Sequence, residues 1–343
     1  MEVVDKYGSY KEQQLRNQLA FLKSSNSISA AAKSGGGIFF GKPRDFVLPD
    51  GYGDENLFEP IRKDVINYFE NQHVSWHTAA AHLLSSQVCC LNVLAPFVYE
   101  PQALKTLLEG ILGPIDEMLE IEPKIAPGRF IAFEFTGTKD YLNEWRRGAH
   151  TRGANCTSVD AAVRFRTSSG DIEAALIEWK YTETYPRPSD NDSSNKERRR
   201  RYENITFHPC GPVRPDPGLK LSDLFAEPIY QLFRQQMLAK QMEKDRDLCL
   251  KRVRTVLVAP GGNTAVRVLK ISALHEFGGD NVSAWQALLQ EPERFIFCTT
   301  EELLARVPGV LQETPELKSW SDYIAKRYGF IGDSQNPQQV EVR

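Results

Sequence analysis

An acidic and a basic residue stand two positions apart at the end of an apolar segment of this sequence. Glu178 and Lys180 follow the run Ala174-Ala175-Leu176-Ile177, which is typical of a buried strand. Because side chains alternate between the two faces of a strand, Glu178 and Lys180 are predicted to point to the same side. Asp160 precedes another apolar segment, where a carboxylate without a partner would be costly to bury.

A predicted hairpin brings these three residues together. The segment Ser168-Ser169-Gly170-Asp171 has the composition of a turn between two strands, and pairing through it places Asp160 near Glu178 or Lys180. Mg²⁺ takes oxygen ligands from one or two carboxylates, and a bound divalent cation lowers the pKa of a water and neutralises charge developing on a phosphate. We therefore expect a site for Mg²⁺, or for Mn²⁺ in its place. An ion pair on a solvated face is the alternative.

Apolar residues recur at helical or strand spacing along most of the chain. The predicted helices cover residues 77–97, 102–119 and 221–244. The predicted strands cover residues 130–135, 159–167, 172–180, 253–259 and 295–298. Between the third strand and the third helix, residues 186–219 are rich in proline and charge and predict a long surface excursion.

This order of elements predicts an α/β fold, with a mixed central sheet flanked by helices. A chain of 343 residues can form one large domain or two ordinary ones. We expect an N-terminal extension over residues 1–75, one α/β domain over residues 76–330 and a C-terminal tail over residues 331–343.

The composition excludes several classes of protein. Hydrophobic residues make up 41% of the chain and charged residues 25%, which is typical of globular proteins and not of disordered ones. No apolar run approaches the ~18 residues of a membrane span, and no secretory signal is visible, so we expect a cytoplasmic protein without membrane contact. Six cysteines without a C-x-x-C pair argue against a disulfide scaffold or zinc ribbon. The net charge of −3 restricts nucleic-acid contacts to local basic patches.

The sequence resembles the PD-(D/E)XK nuclease superfamily, which has the restriction-endonuclease-like fold, and within it bacterial restriction-endonuclease branches. The resemblance covers residues 77–300 and is carried by segments 84–87, 152–161 and 178–183. Asp160 stands at the position of the family's motif aspartate, and Glu178-Trp179-Lys180 stands as its ExK motif. The resemblance implies metal binding by Asp160, Glu178 and the Trp179 carbonyl, with Lys180 as a catalytic residue.

The sequence departs from the family pattern at Gln87, and Glu134 is a candidate to compensate for this departure. Many members carry an acid on the first core helix, where this sequence has Gln87. A buried amide needs hydrogen-bond partners, which either a hydrated metal site or the sheet could provide. Glu134, on the first predicted strand, could replace the missing charge; the alternative is an exposed carboxylate at the sheet edge.

The third predicted helix carries a polar line beside its apolar face. Glu227, Gln231 and Gln235 follow one another at four-residue spacing, which places them on one side of a helix. The superfamily often places a glutamine or tyrosine near the lysine, and we expect Gln231, next to Tyr230, to have this position. A solvated helix face is the alternative.

Two groups of arginines are candidates for contacts with the nucleic-acid backbone. Arg146, Arg147 and Arg152 precede the Asp160 strand, and Arg198 and Arg199 belong to a basic run within the surface excursion. Each phosphate that a cationic side chain neutralises contributes to affinity through counterion release. A solvated loop is the alternative for the second group.

The resemblance implies a metal-dependent endonuclease that hydrolyses phosphodiester bonds of nucleic acid, for which we expect DNA, in bacterial defence or restriction. A homodimer is expected because cutting both strands of a duplex needs two sites. The alternative is a catalytically silent subunit of the same fold that binds nucleic acid or serves as a scaffold. The position of Gln87 and the acidic net charge favour this alternative.

Overall fold

A mixed six-stranded sheet lies at the centre of the computed structural model. The structure describes residues 9–34, 36–77, 80–145, 151–154, 156–185, 195–215 and 217–331. A separate hairpin contains β1 (Gly37–Phe39) and β2 (Lys42–Arg44). The strands of the central sheet are β3 (Ile115–Leu119), β4 (Ile131–Phe135), β5 (Val159–Thr167), β6 (Ile172–Trp179), β7 (Arg252–Ala259) and β8 (Phe295–Thr299).

Helices of the described residues cover both faces of this sheet. They are α1 (Tyr10–Ser24), α2 (Ala30–Lys33), α3 (Arg62–Asn71), α4 (Ser86–Leu94), α5 (Pro101–Leu112), α6 (Asn195–Tyr202), α7 (Ile229–Lys244), α8 (Asn281–Leu288), α9 (Thr300–Leu304), α10 (Val307–Glu313) and α11 (Lys318–Tyr328). None of the helices in the described part of the chain is long and apolar enough to cross a membrane.

Strand β5 organises the antiparallel half of the sheet. Strands β3 and β4 pair with successive parts of one of its edges, and β6 pairs with the other edge. Strands β6, β7 and β8 are parallel to one another. The sheet is therefore mixed, as the sequence predicts, and its parallel strands are continuous apolar segments because both of their faces are buried.

The two faces of the sheet bury separate hydrophobic clusters. Ile177 and Trp179 point to the face that is covered by α4 and α5. Leu176 and Leu257 point to the opposite face, which is covered by α7 and α8. Alternation along β6 therefore assigns Glu178 to the α7 face.

Residues of the predicted N-terminal extension belong to the same packing as the rest of the chain. Val65 and Phe69 are buried in the cluster that also contains Ile177. The Gln18 side chain of α1 donates to the Tyr181 hydroxyl at 3.1 Å, and this bond is buried. Residues 10–74 therefore contribute to the core around the central sheet.

Two predicted helices are shorter than their apolar periodicity suggests. The helix predicted over residues 77–97 begins at Ser86, because the Ser85 hydroxyl accepts the Val88 N–H as its N-terminal cap. The helix predicted over residues 102–119 ends at Leu112. Gly113 follows with a φ of 79°, a conformation that favours glycine, and the remaining residues form the edge strand β3.

The third predicted helix and the surface excursion also differ in detail. Residues Leu221–Leu224 form a single 3₁₀ turn, and the α-helix begins only at Ile229. The described part of the excursion includes α6, and Tyr202 at its end is fully buried. The buried Tyr202 side chain therefore attaches the excursion to the domain, whereas the sequence predicted a surface segment.

Candidate active site

Three carboxylates lie in a row across three neighbouring strands. In the β4–β5 ladder, Phe133 pairs with Ala161 and Phe135 pairs with Val159, so Glu134 lies opposite Asp160. In the β5–β6 ladder, Ala161 faces Ile177, and the same register continued by one residue places Asp160 opposite Glu178. Directly opposite residues on neighbouring strands have Cβ atoms roughly 4.5–5.5 Å apart, so these carboxylates share one edge of the sheet.

Glu178 is held by one lysine and two glutamines. Lys180 Nζ donates to Glu178 Oε1 at 2.5 Å and to Gln231 Oε1 at 2.7 Å. Gln231 Nε2 donates to the same carboxylate oxygen, and Gln235 Nε2 donates to the other. Gln231 and Gln235 are one turn apart on α7, so a single helix face orients the carboxylate.

Lys180 is an almost fully buried cation. Burial lowers the pKa of its ammonium group, but the charge of Glu178, with smaller contributions from Tyr185 and Glu183, outweighs this effect and keeps the pKa well above its usual value. Lys180 therefore stays protonated and serves as a donor and a positive charge, not as a base.

Asp160 accepts a hydrogen bond from the backbone N–H of Trp179 at 2.7 Å. Burial, followed by the charges of Glu178 and Glu134, raises the pKa of Asp160 well above its usual value. The N–H and C=O of one strand residue point towards the same neighbouring strand. The Trp179 carbonyl therefore lies on the Asp160 side, which is the placement that the predicted ligand set requires.

Glu134 is buried, contrary to the alternative of an exposed edge carboxylate. It accepts hydrogen bonds from Gln87 Nε2 at 2.6 Å and from the Ser158 hydroxyl at 3.1 Å, and His77 Nε2 lies 3.4 Å away. Burial raises the pKa of Glu134 despite these partners. Gln87 therefore donates to Glu134 on the sheet. Glu134 is the residue that could replace the carboxylate missing at position 87.

The backbone of Glu134 is in the left-handed region, with a φ of 48°, which costs a non-glycine residue of the order of 1–2 kcal/mol. Arg152 supports this conformation, because its Nε donates to the Glu134 carbonyl at 3.0 Å and its Nη2 to the Phe133 carbonyl at 2.7 Å. The same guanidinium also donates to Glu122 and to Tyr68. Arg152 is 5% exposed.

Arg152 was predicted to contact a nucleic-acid backbone, and its burial corrects that prediction. The remaining predicted arginines have different placements. Arg146 and Arg147 lie outside the described residues. The Arg198 guanidinium lies 4.2 Å from the centre of the Tyr230 ring, whereas Arg199 is an exposed residue of α6.

The carboxylate row lines a cavity of about 420 Å³ between the sheet edge and the α6–α7 wall. Lys180 and Gln231 line it as well. Helices α6 and α7 contribute Arg201, Tyr230 and Arg234 to the same lining. The cavity therefore combines carboxylates, which include Glu144, with guanidinium groups.

Sequence reasoning missed several of these residues. Helical spacing placed Gln235 on the polar line of the third helix, but only Gln231 was chosen from that line as a site residue. Arg234 lies three residues after Gln231, so the same spacing could have indicated it. His77 and Ser158 reach Glu134 from loops, and no local pattern marks such contacts. Arg201 was part of the basic run, but its position facing the cavity depends on how α6 packs.

A family model for "Restriction Endonuclease associating with ARP" matches residues 15–329. The chain belongs to this family. The match confirms the predicted restriction-endonuclease-like family and fold class, and it extends beyond the 77–300 segment of the predicted resemblance. No curated protein and no solved structure matches the chain.

The donor chemistry of the site fits a hard divalent cation, which prefers oxygen ligands. Glu178 provides a buried carboxylate and Asp160 a half-buried one. The raised pKa of Asp160 reflects desolvation together with charges that a cation would compensate. In the described part of the chain, no group of three or more His, Cys, Asp or Glu side chains is arranged to hold a metal ion. Mg²⁺ commonly uses one or two carboxylates and retains waters, so a site with two carboxylates does not require a group of three such side chains.

Proposed function

We propose that this protein is a metal-dependent endonuclease that hydrolyses phosphodiester bonds of DNA. The observation that carries the proposal is the convergence of Asp160, Glu178 and Lys180 at one cavity, in a chain that belongs to a restriction-endonuclease family. The family description also supports a role in restriction or bacterial defence. Cutting both strands needs two sites, so we propose a homodimer.

Asp160, Glu178 and the Trp179 carbonyl would hold the cation, which we propose to be Mg²⁺ or Mn²⁺. When bound, the ion supplies Lewis acidity and lowers the pKa of a coordinated water. The chain supplies the arrangement around it: Trp179 N–H fixes Asp160, and Gln235 fixes the Glu178 oxygen that Lys180 does not contact. Preorganised ligands of this kind need no rearrangement during the reaction.

Lys180 contributes its charge and a hydrogen-bond donor. An ammonium group has three N–H donors, and within the described residues two of them serve Glu178 and Gln231. The third can donate to a phosphate oxygen or to the attacking water. Because Lys180 stays protonated, it stabilises negative charge that develops on the phosphate.

Plasmid cleavage tests the proposal. We expect wild-type protein to convert supercoiled DNA to nicked or linear forms with Mg²⁺ or Mn²⁺, and to lose this activity in EDTA. Lys180→Met should abolish cleavage, whereas Lys251→Met should not, because Lys251 pairs with Asp171 at the far end of the β5–β6 hairpin. Equal activity of Lys180→Met and wild type would refute the assignment. Parallel reactions with RNA decide the class of nucleic acid.

A catalytically silent binding or scaffold subunit is the second candidate function. It is supported by Glu178, whose two oxygens already accept hydrogen bonds from Lys180, Gln231 and Gln235. Calorimetric titration with Mg²⁺ and Mn²⁺ distinguishes the two functions. Heat of binding that disappears in Glu178→Ala supports the enzyme, and DNA binding without any response to metal supports the silent subunit.

A further inference from the structure

We propose that Arg234, together with Arg201, forms an anion subsite that binds a phosphate of the nucleic-acid backbone next to the phosphate that would be hydrolysed at the proposed cation site. The proposal rests on the proposed function for its choice of ligand. It goes beyond that function because it assigns substrate binding to the α6–α7 wall, outside the carboxylate row and its lysine.

Arg234 is half-buried, and its guanidinium group forms no ion pair with any residue that the structure describes. It lies one turn after Gln231 on α7 and lines the same cavity. Its Nε is buried and has no hydrogen-bond partner among the described residues, and no carboxylate of the described residues forms an ion pair with it. Buried Arg129 and Arg152 and half-buried Arg294, by contrast, each pair with a carboxylate.

The carboxylate that acts most strongly on Arg234 is Glu144, and it is already engaged. Glu144 accepts the Thr157 N–H at 2.5 Å and the Thr157 hydroxyl at 3.1 Å, and Arg201 Nη1 lies 3.6 Å from one of its oxygens. Glu144 therefore serves to close the wall and to hold Arg201. Glu227 acts on Arg234 more weakly than Glu144 does. A half-buried cation whose strongest acidic neighbour is engaged elsewhere would be stabilised by an anionic partner from outside the chain.

The Tyr230 ring contacts the guanidinium groups of Arg234 and Arg198. Its ring centre lies 5.3 Å from the Arg234 guanidinium carbon and 4.2 Å from that of Arg198, which are distances at which cations are attracted to aromatic rings. The planar guanidinium group binds phosphate through paired N–H donors. Carboxylates suited to a cation and guanidinium groups suited to phosphate line one cavity, as binding of a metal-bound nucleic-acid strand would require.

Equilibrium binding in a metal-chelating buffer tests the subsite without cleavage. The affinity for a short fluorescent DNA duplex is measured by anisotropy over a series of salt concentrations, for wild type, Arg234→Gln, Arg234→Lys and Arg201→Gln. The matched control is Arg166→Gln, because Arg166 is a partly exposed arginine that pairs with Glu117 on the sheet edge.

Arg234→Gln and Arg201→Gln should each weaken binding about 5- to 10-fold and reduce the slope of log affinity against log salt by about one, as the loss of one phosphate contact predicts. Arg234→Lys should recover most of the slope because it restores the charge. Under cleavage conditions, Arg234→Gln should raise KM more than it lowers kcat. The control should bind as wild type does.

An unchanged affinity and salt slope in folded Arg234→Gln and Arg201→Gln would overturn the subsite, even if wild type cuts DNA. If wild type binds DNA through Arg234 but none of the tested metals supports cleavage, the subsite stands and the proposed hydrolysis fails. Competition by inorganic phosphate and by a mononucleotide distinguishes the source of the anion. Arg234-dependent binding of a mononucleotide without duplex binding would overturn the assignment to a nucleic-acid backbone.

Discussion

Glu134 and Asp160 face each other on neighbouring antiparallel strands, with Glu134 buried and Asp160 half-buried. Such an arrangement is unfavourable when both groups are charged, because burial and mutual repulsion favour the neutral form. Glu178 continues the row on the next strand, where Lys180 compensates its charge. The fold thus concentrates three carboxyl groups at one edge of the cavity, and a divalent cation would compensate the charge of their ionised forms.

Replacing Asp160 with asparagine should stabilise the metal-free protein. The introduced amide would keep an oxygen that accepts the Trp179 N–H, while the buried charge would be removed. We expect the free energy of unfolding to rise by about 1–2 kcal/mol. Chemical denaturation in EDTA measures this change, and an equal or lower stability of Asp160→Asn would contradict it.

Metal should act on the two proteins differently. A cation that binds only the folded state raises stability in proportion to its affinity and concentration. Millimolar Mg²⁺ should therefore raise the melting temperature of wild type and have little effect on Asp160→Asn. Replacing Mg²⁺ with the same concentration of K⁺, at matched ionic strength, controls for general salt effects.

The stability difference between wild type and Asp160→Asn should depend on pH. The folded pKa of Asp160 is raised above its ordinary 3.8, so between these values the folded state holds a proton that the unfolded chain has lost. Wild-type stability therefore falls as pH rises through this interval, and the loss is complete above the folded pKa. The advantage of Asp160→Asn should be small near about pH 4 and grow towards about pH 8.

Denaturation curves of both proteins across this range, in EDTA, measure the effect. Taking the difference between the two proteins removes the contributions of groups that do not interact with Asp160. Glu134 and Glu178 do interact with it, so the change in their titration is part of the measured difference. A difference that shrinks as pH rises would show that Asp160 has a lowered pKa and lies in a favourable environment for its charge.

Arg152 should matter more for stability than for DNA affinity. Arg152→Met leaves buried Glu122 without its ion-pair partner and removes the hydrogen bonds to the Glu134 and Phe133 carbonyls. Breaking a buried pair in this way costs about 3–5 kcal/mol. The surface pair of Arg166 offers a matched control, and Arg166→Met should cost less than about 1 kcal/mol. Urea denaturation compares the two, and similar losses would contradict the structural role of Arg152.

Residues before position 76 should be required for folding. Phe69→Ala in the full chain removes a fully buried ring from the cluster around the sheet and should cost about 3–5 kcal/mol. Phe40→Ala, at the tip of the β1–β2 hairpin where the ring is 89% exposed, should cost little. A fragment that begins at residue 76 should be unfolded by circular dichroism, and a cooperative melting transition of that fragment would contradict this prediction.

Local patterns in the sequence were sufficient to predict that Asp160, Glu178 and Lys180 lie close together. Alternation along residues 172–180 predicts that Glu178 and Lys180 share a face, and the turn at 168–171 predicts the hairpin that brings Asp160 to them. The observed register confirms this neighbourhood. These features depend on a strand and a tight turn, whose geometry follows from residues close together in the chain.

The two shortened helices show where such patterns fail. Apolar residues at helical spacing, Ile115 and Leu119, continue the predicted helix beyond Leu112, but Gly113 ends it and the following residues pair with β5. Whether Ile115–Leu119 extends a helix or joins a sheet edge depends on an unpaired strand elsewhere in the fold. Apolar periodicity carries no information about that strand.

The sequence by itself determined which residues could form a hydrolytic centre, because the ExK alternation and the hairpin turn are local. Only the tertiary structure decided what surrounds that centre: Gln235 on Glu178, His77 near Glu134, Arg152 inside the domain and Arg234 facing the cavity. The physical reason is that hydrogen bonds and ion pairs between distant segments depend on how whole helices and loops pack against the sheet. That packing is a collective result of the buried core, and no single segment specifies it.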